Sequence, residues 1–136
     1  MVWIVGTIIA VVVLAGIGLQ VAISRNGPAV LNTVDRLTGG ARDALAVEAT
    51  RFGLEPAQKI YVYRPKESPA SQLPVLLFVH GGSWRDGNPD DYDFIARSFV
   101  PEGFVVVLAG YRMFPDFVFP AMLEDTASAM AWTKAN

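Results

Sequence analysis

The segment richest in chemistry runs Leu76-Leu77-Phe78-Val79-His80-Gly81-Gly82-Ser83-Trp84. An apolar run passes directly into a histidine, two glycines, a small hydroxylated residue and a tryptophan. That order suits stabilisation of an anion by main-chain donors. When an acyl group is transferred, the attacked carbonyl oxygen gains negative charge and needs donors already aimed at it, away from water. Backbone N–H groups need no reorganisation. Glycine lets the chain take the required dihedrals and lets a substrate come close. A loop at the carboxyl end of a sheet strand is also where open α/β sheets hold ligands.

Other chemistries fit the residues less well. The chain has no cysteine, which removes thiol catalysis, disulfides and thiolate metal sites. Its single histidine is His80. The run Gly81-Gly82-Ser83-Trp84-Arg85-Asp86-Gly87 matches neither the dinucleotide fingerprint nor the phosphate loop, which needs Lys-Ser/Thr. Asp90, Asp91 and Asp93 cluster at a helix start, where carboxylates complement the dipole. No histidine or further carboxylate is placed to complete a metal site, so neither metal nor cofactor is expected. Glu124-Asp125 reads as the same first-turn chemistry. A net charge of −2 over 136 residues gives no reason to expect nucleic acid as a partner.

The elements around this loop read as alternating strands and helices. Ala44 to Arg51 is a weak strand, and Gln58 to Arg64 a better one closed by Pro65. Lys66 to Gln72 is a polar turn. Leu73 to Val79 is continuously apolar, the pattern of a strand buried on both faces. Pro89 to about Glu102 reads as a helix stopped by Gly103, with Phe94, Ile95, Ser98 and Phe99 on one side. Phe104 to Ala109 is a second buried strand, and Tyr111 to Phe119 a loop. Pro120 opens a last helix with an apolar stripe of Met122, Leu123, Ala129, Met130 and Trp132. Strands alternating with helices predict a mostly parallel sheet in an α/β fold.

The N-terminus differs in kind. From Val2 to Leu19 no residue is charged, and the apolar run ends at Ser24-Arg25. About twenty residues at roughly 1.5 Å each can cross a hydrocarbon core of roughly 30 Å, and only as a helix. A cleaved signal peptide is the nearer rival, but no Lys or Arg precedes the run, which is long for such a segment. A buried core helix fits less, for want of a polar face. Asn26-Gly27-Pro28 breaks the helix. Ala29 to Leu37 is a short amphipathic stretch, ended by Thr38-Gly39-Gly40. The expected organisation is therefore an anchor over 1–24, a connector over 25–45 and a domain over 46–136. Arg25, Arg36 and Arg42 follow the span, a bias that alone would put the following chain in the cytoplasm.

The loop resembles the His-Gly-Gly oxyanion motif of α/β-hydrolase esterases and lipases. Its Trp84 is similar to the carboxylesterase and kynurenine-formamidase-like branch. Tyr61-Val62-Tyr63-Arg64-Pro65, Gly110-Tyr111-Arg112 with Pro115-Asp116, and Phe119-Pro120-Ala121 with Glu124-Asp125 and Trp132 resemble further family segments in order. Gly110 departs from the aspartate common there.

The resemblance implies the N-terminal part of a three-layer α/β-hydrolase sandwich behind a membrane helix. It implies oxyanion donors at Gly82 and Ser83, with Gly81 shaping the turn, His80 orienting the loop and Trp84 lining the substrate pocket. Tyr111 and Arg112 would pack beneath that face. It also implies a small-molecule ester substrate hydrolysed through a serine in Gly-x-Ser-x-Gly, a motif absent here. That serine, the acid and the catalytic histidine are expected downstream, so the chain reads as truncated and inactive alone. The domain is expected outside the cytoplasm, against the arginine bias. Hydrolysis of an arylformamide-like amide is the close alternative. A non-catalytic membrane-anchored interaction protein is the alternative of another class.

Overall fold

The computed structural model describes residues 2–39, 45–66 and 73–136. Most of the polar turn read at Lys66 to Gln72, and the Gly40, Arg42 and Asp43 positions, lie outside them. The order is α1 (Val2–Thr38), β1 (Leu45–Arg51), β2 (Lys59–Pro65), β3 (Val75–Val79), a 3₁₀ turn (Pro89–Tyr92), α2 (Asp93–Phe99), β4 (Val105–Ala109) and α3 (Ala121–Ala135).

One sheet forms in the order β1-β2-β4-β3. The expectation of a mostly parallel sheet is corrected here. Of the three pairings only β3–β4 is parallel, with Val75 opposite Val105 and Val79 opposite Ala109. β1–β2 and β2–β4 are antiparallel. The reason is connectivity. Parallel neighbours need a long crossover, and within this sheet the α2 segment supplies it between β3 and β4. β1 and β2 are joined by a short loop, closed by Phe52 N–H to the Gln58 carbonyl at 3.1 Å.

β4 is central and buried along its whole length. Its alternation builds two cores. Val105, Val107 and Ala109 meet Ile60 and Ala129 beneath α3. Val106 and Leu108 meet Tyr63, Ala96 and Val100 beneath α2. Helices therefore cover both faces of the sheet, giving three layers. β3, read as buried on both faces, is only half-buried because it is an edge strand of the described sheet.

The helices differ from expectation in detail. The helix read from Pro89 begins as a 3₁₀ turn, because Asn88 Oδ1 accepts the Asp90 N–H at 3.2 Å and Pro89 follows it. α2 ends at Phe99, and Gly103 at φ +89 closes the turn, as expected of a stop. Phe99 and Ser98 face outward, while Ala96 and Val100, one turn apart, face the core. On α3 the inward face is Met122, Asp125, Ala129 and Trp132, at spacings of three and four. Leu123 and Met130 fall off that face and are exposed.

α1 is broken at Asn26, whose backbone leaves the helical region at φ −152 and ψ 80. Asn26 Oδ1 accepts the Ala29 N–H at 3.1 Å, the geometry of an N-cap for a new helix. Before the break, the apolar window of α1 has none of its residues buried, and the helix is long and apolar enough to cross a membrane. After the break the segment expected as a connector is helical and docked. Asn32 Nδ2 donates to the Asp90 carbonyl at 2.9 Å. Arg36 pairs with Asp93, and Asp35 with Arg97. Asn26 Nδ2 reaches Asp91 Oδ2 at 2.9 Å. Docking is thus by a polar edge: Val30 is half-buried, whereas the other apolar residues of the amphipathic stretch, Leu31, Val34 and Leu37, are exposed.

Candidate active site: the loop after β3

β3 delivers the chain to His80, whose side chain turns inward and is 4% exposed. Its ring stacks on Tyr111, with centroids 4.4 Å apart and planes at 18°. The Tyr111 hydroxyl donates to the His80 carbonyl at 3.0 Å, so ring and backbone are held together. His80 Nδ1 lies 2.8 Å from the Gly81 carbonyl. A carbonyl only accepts, so Nδ1 carries the proton and Nε2 is left as an acceptor. Nε2 is buried with no partner among the described residues. Burial lowers the His80 pKa; the Gly81 bond opposes this, and the charge of Lys59 reinforces it. His80 is therefore neutral at neutral pH.

A left-handed turn follows. Gly82, Ser83 and Trp84 have φ of +127, +55 and +63. The Gly82 carbonyl accepts the N–H groups of Arg85 and Asp86, both at 3.0 Å. The first N–H groups of any helical turn have no partner inside it. Those of Gly82 and Ser83 meet no backbone acceptor among the described residues, and both residues are exposed. Two donors thus stand free on one exposed turn.

The turn needs its residue types. A Cβ on Gly82 would lie 1.6 Å from the Asp86 carbonyl oxygen. Ser83 and Trp84 hold a backbone conformation uncommon outside glycine, so neighbours must fix it. The Trp84 carbonyl accepts the Phe114 N–H at 3.0 Å, and its ring meets Tyr111 edge-on at 5.3 Å. Trp84 remains 52% exposed. Gly87, which sequence reasoning passed over, closes the loop at φ +123 against the His80 ring. Its signal was present as a glycine before Asn88-Pro89, a turn composition.

Tyr111 and Arg112 separate in role. Tyr111 packs under the loop as expected, 1% exposed. Arg112 turns away to Asp125, with its backbone N–H at 2.8 Å and guanidinium contacts of 2.7 to 3.0 Å. Gln58 Nε2 adds a bond to Asp125 at 2.7 Å. Asp125, read as first-turn dipole chemistry, is instead a buried pin between β2's entry, the 111–119 loop and α3. Burial pushes its pKa up, but the bonds from Arg112 and Gln58 outweigh this and hold it below the usual carboxylate value. Gly110 has a local cause: a Cβ there would lie 2.4 Å from the Ala57 carbonyl oxygen. The close approach of the β1–β2 loop excludes the family's aspartate in this backbone.

The acidic cluster is also engaged. Asp90 meets Lys59 Nζ at 3.0 Å, and Asp93 accepts the Tyr63 hydroxyl at 2.5 Å. No group of three His, Asp or Glu among the described residues is placed to hold a metal ion. Between the loop and the bend in α1 lies a cavity of about 490 Å³ whose wall includes Arg25, Gly27, Gly81, Gly82 and Asp86.

A mixed sheet between helical layers, with a glycine-rich loop at the carboxyl end of a strand, is the frame of an α/β hydrolase. Solved structures share it: Esterase B from Lactobacillus rhamnosis superposes with a TM-score of 0.68 at 21% identity, covering 86% of this chain and 39% of that one. At that identity the likeness concerns the fold. The family profile BD-FAE matches residues 60–136, and the chain belongs to that α/β-hydrolase family. Several of its curated relatives are named esterases. Esterase LipC of Mycobacterium tuberculosis is 36% identical over 87 residues, 62% of this chain and 21% of LipC. Carboxylesterase NlhH of the same organism is 37% identical over 65 residues, 47% of this chain and 20% of NlhH. The chain spans about a fifth of the length of these relatives.

Proposed function

We propose that this chain supplies the oxyanion-binding loop of a membrane-anchored carboxylic ester hydrolase. In this reading the N–H groups of Gly82 and Ser83 receive the developing oxyanion and Gly81 shapes the turn. His80 holds the loop as a neutral side chain, and Trp84 flanks the substrate. The nucleophilic serine, its acid and its histidine come from sequence outside these 136 residues. The observation that carries the reading is the left-handed turn with two free, exposed N–H groups beside a buried histidine. An ester is preferred because LipC and NlhH are named esterases, while one matched relative, the arylacetamide deacetylase of Oryctolagus cuniculus, keeps amide hydrolysis as the second reading.

Residues 1–24 act as a single-pass anchor, with the domain outside the cytoplasm. The support is an apolar helix with no part of its apolar window buried against the domain.

The test uses the full-length polypeptide and a chromogenic ester. Gly82→Ala forces the Asp86 carbonyl aside and should lower kcat by about 10²–10³, the usual cost of a lost oxyanion donor, with KM little changed. Ser83→Ala keeps its backbone N–H and should stay close to the parent. Loss of all turnover on Ser83→Ala would place the nucleophile in this loop and overturn the reading.

A further inference from the structure

The cavity at the bend of α1 joins two features that sequence reading kept apart. One wall is Arg25, Asn26, Gly27 and Pro28, where the apolar helix ends. The other includes Gly81 and Gly82 of the oxyanion loop, with Asp86, Asp91 and Tyr92. A span that ends at Arg25 puts this residue at the polar surface of a bilayer, where a long cation settles readily. The first residues beyond the lipid are therefore already a wall of the cavity.

The geometry is held by the contacts of Asn26, Asn32, Asp35 and Arg36 with the domain, spread along the helix after the bend. The segment after the bend is thus held against the domain by several contacts rather than hanging as a slack tether.

The wall is mostly polar or glycine, suited to an ester head rather than an acyl tail. Its charges are one arginine and two aspartates, which gives no excess of cations for an anionic head. Immediately before it, the flank of α1 is apolar.

We propose that this cavity takes its substrate from the bilayer surface. The substrate class is an amphiphilic ester with an uncharged polar head seated between Gly27 and Gly82 and an apolar chain left in the lipid. The inference rests on the anchored-esterase reading above and names its substrate class.

The test compares two esters with full-length enzyme in phosphatidylcholine vesicles: 1-palmitoylglycerol, which resides in the bilayer, and water-soluble p-nitrophenyl acetate. The Asn32→Ala/Asp35→Ala/Arg36→Ala triple variant removes the helix's contacts with Asp90, Arg97 and Asp93 without touching the cavity wall. It should lower turnover of 1-palmitoylglycerol at least about tenfold, since small misplacements of a bound substrate cost that much or more. Turnover of p-nitrophenyl acetate should stay within about twofold on the same argument. Gly27 has open space where a Cβ would stand and lines the cavity, so Gly27→Trp adds bulk there and should also suppress 1-palmitoylglycerol turnover.

Equal loss of both substrates in the triple variant, or loss of neither, overturns the inference. Two controls separate it from its basis. Parent enzyme that alkaline carbonate strips from membranes removes the anchor. Parent enzyme that turns over neither ester removes the esterase reading, and the inference with it. A readout free of turnover is a bimane label on Asp86→Cys in full-length enzyme with any cysteine outside these 136 residues changed to serine; the 136 residues hold none. Headgroup nitroxides should quench it strongly. An unquenched label places the loop away from the membrane and also overturns the inference.

Discussion

At the scale of single residues, the loop is a set of steric necessities around one buried imidazole. Gly87 shows this most directly. A Cβ there would lie 2.3 Å from His80 Nδ1, at a φ that side chains avoid. Gly87→Ala should destabilise the fold by about 1–3 kcal/mol through backbone strain and displacement of His80, read by chemical denaturation. His80 carries a pH signature. Its folded pKa lies below the ordinary 6.5, chiefly through burial. The folded state therefore binds its proton less readily than the unfolded chain. The stability linked to His80 is complete above about pH 6.5 and declines as pH falls through that value toward the lower folded pKa. Denaturation midpoints at pH 7.5 and 5.5 should differ in the parent, and His80→Gln should reduce the difference. An unchanged difference would put the pH dependence on other groups.

At the scale of elements, the bend in α1 is built rather than accidental. Asn26 ends one helix and caps the next through Ala29, and its amide also reaches Asp91. Asn26→Ala removes both bonds. It should cost about 1 kcal/mol from the cap alone, measurable as a lowered denaturation midpoint, whereas Asn26→Asp, which keeps the cap acceptor, should recover part of it. The central strand is the other organising element. Leu108 is fully buried between β4 and α2, and Leu108→Ala should cost about 2–5 kcal/mol, the range for a large-to-small change in a packed core.

At the scale of the whole molecule, two bodies of opposite solvent preference share one helix. The first part of α1 exposes Ile8, Val12, Leu14 and Ile17, whereas the second part docks by ion pairs and amide bonds. Arg36 is committed to Asp93, which leaves Arg25 as the described basic side chain nearest the end of the apolar run. Engineered cysteines should report the topology. With the domain outside the cytoplasm, Asp86→Cys should react with an impermeant maleimide in intact cells. Protection until the cells are opened would place the domain inside.

Much of this protein was legible in the sequence because the relevant signals are local. Continuous apolar runs announced β3, β4 and the membrane-length helix, since burial demands apolar side chains wherever it occurs. Asn26-Gly27-Pro28 announced the bend, and His80-Gly81-Gly82-Ser83-Trp84 the loop, since glycine and proline limit the backbone without help from distant residues. Three features came only from the tertiary structure. The antiparallel pairings of β2 with β1 and β4 depend on which strands meet, which no strand encodes alone. Asp125 looked like a first-turn carboxylate until Arg112 and Gln58 were brought to it from two other elements. The connector's docking onto Asp90, Asp91, Asp93 and Arg97 joins polar and charged groups far apart in the chain, as with Arg36 and Asp93, 57 positions apart. Local sequence sets the conformations a segment prefers. Pairing between distant charges is decided only when the chain has folded and brought them within a few ångströms, because beyond about a Debye length solvent and salt screen their attraction.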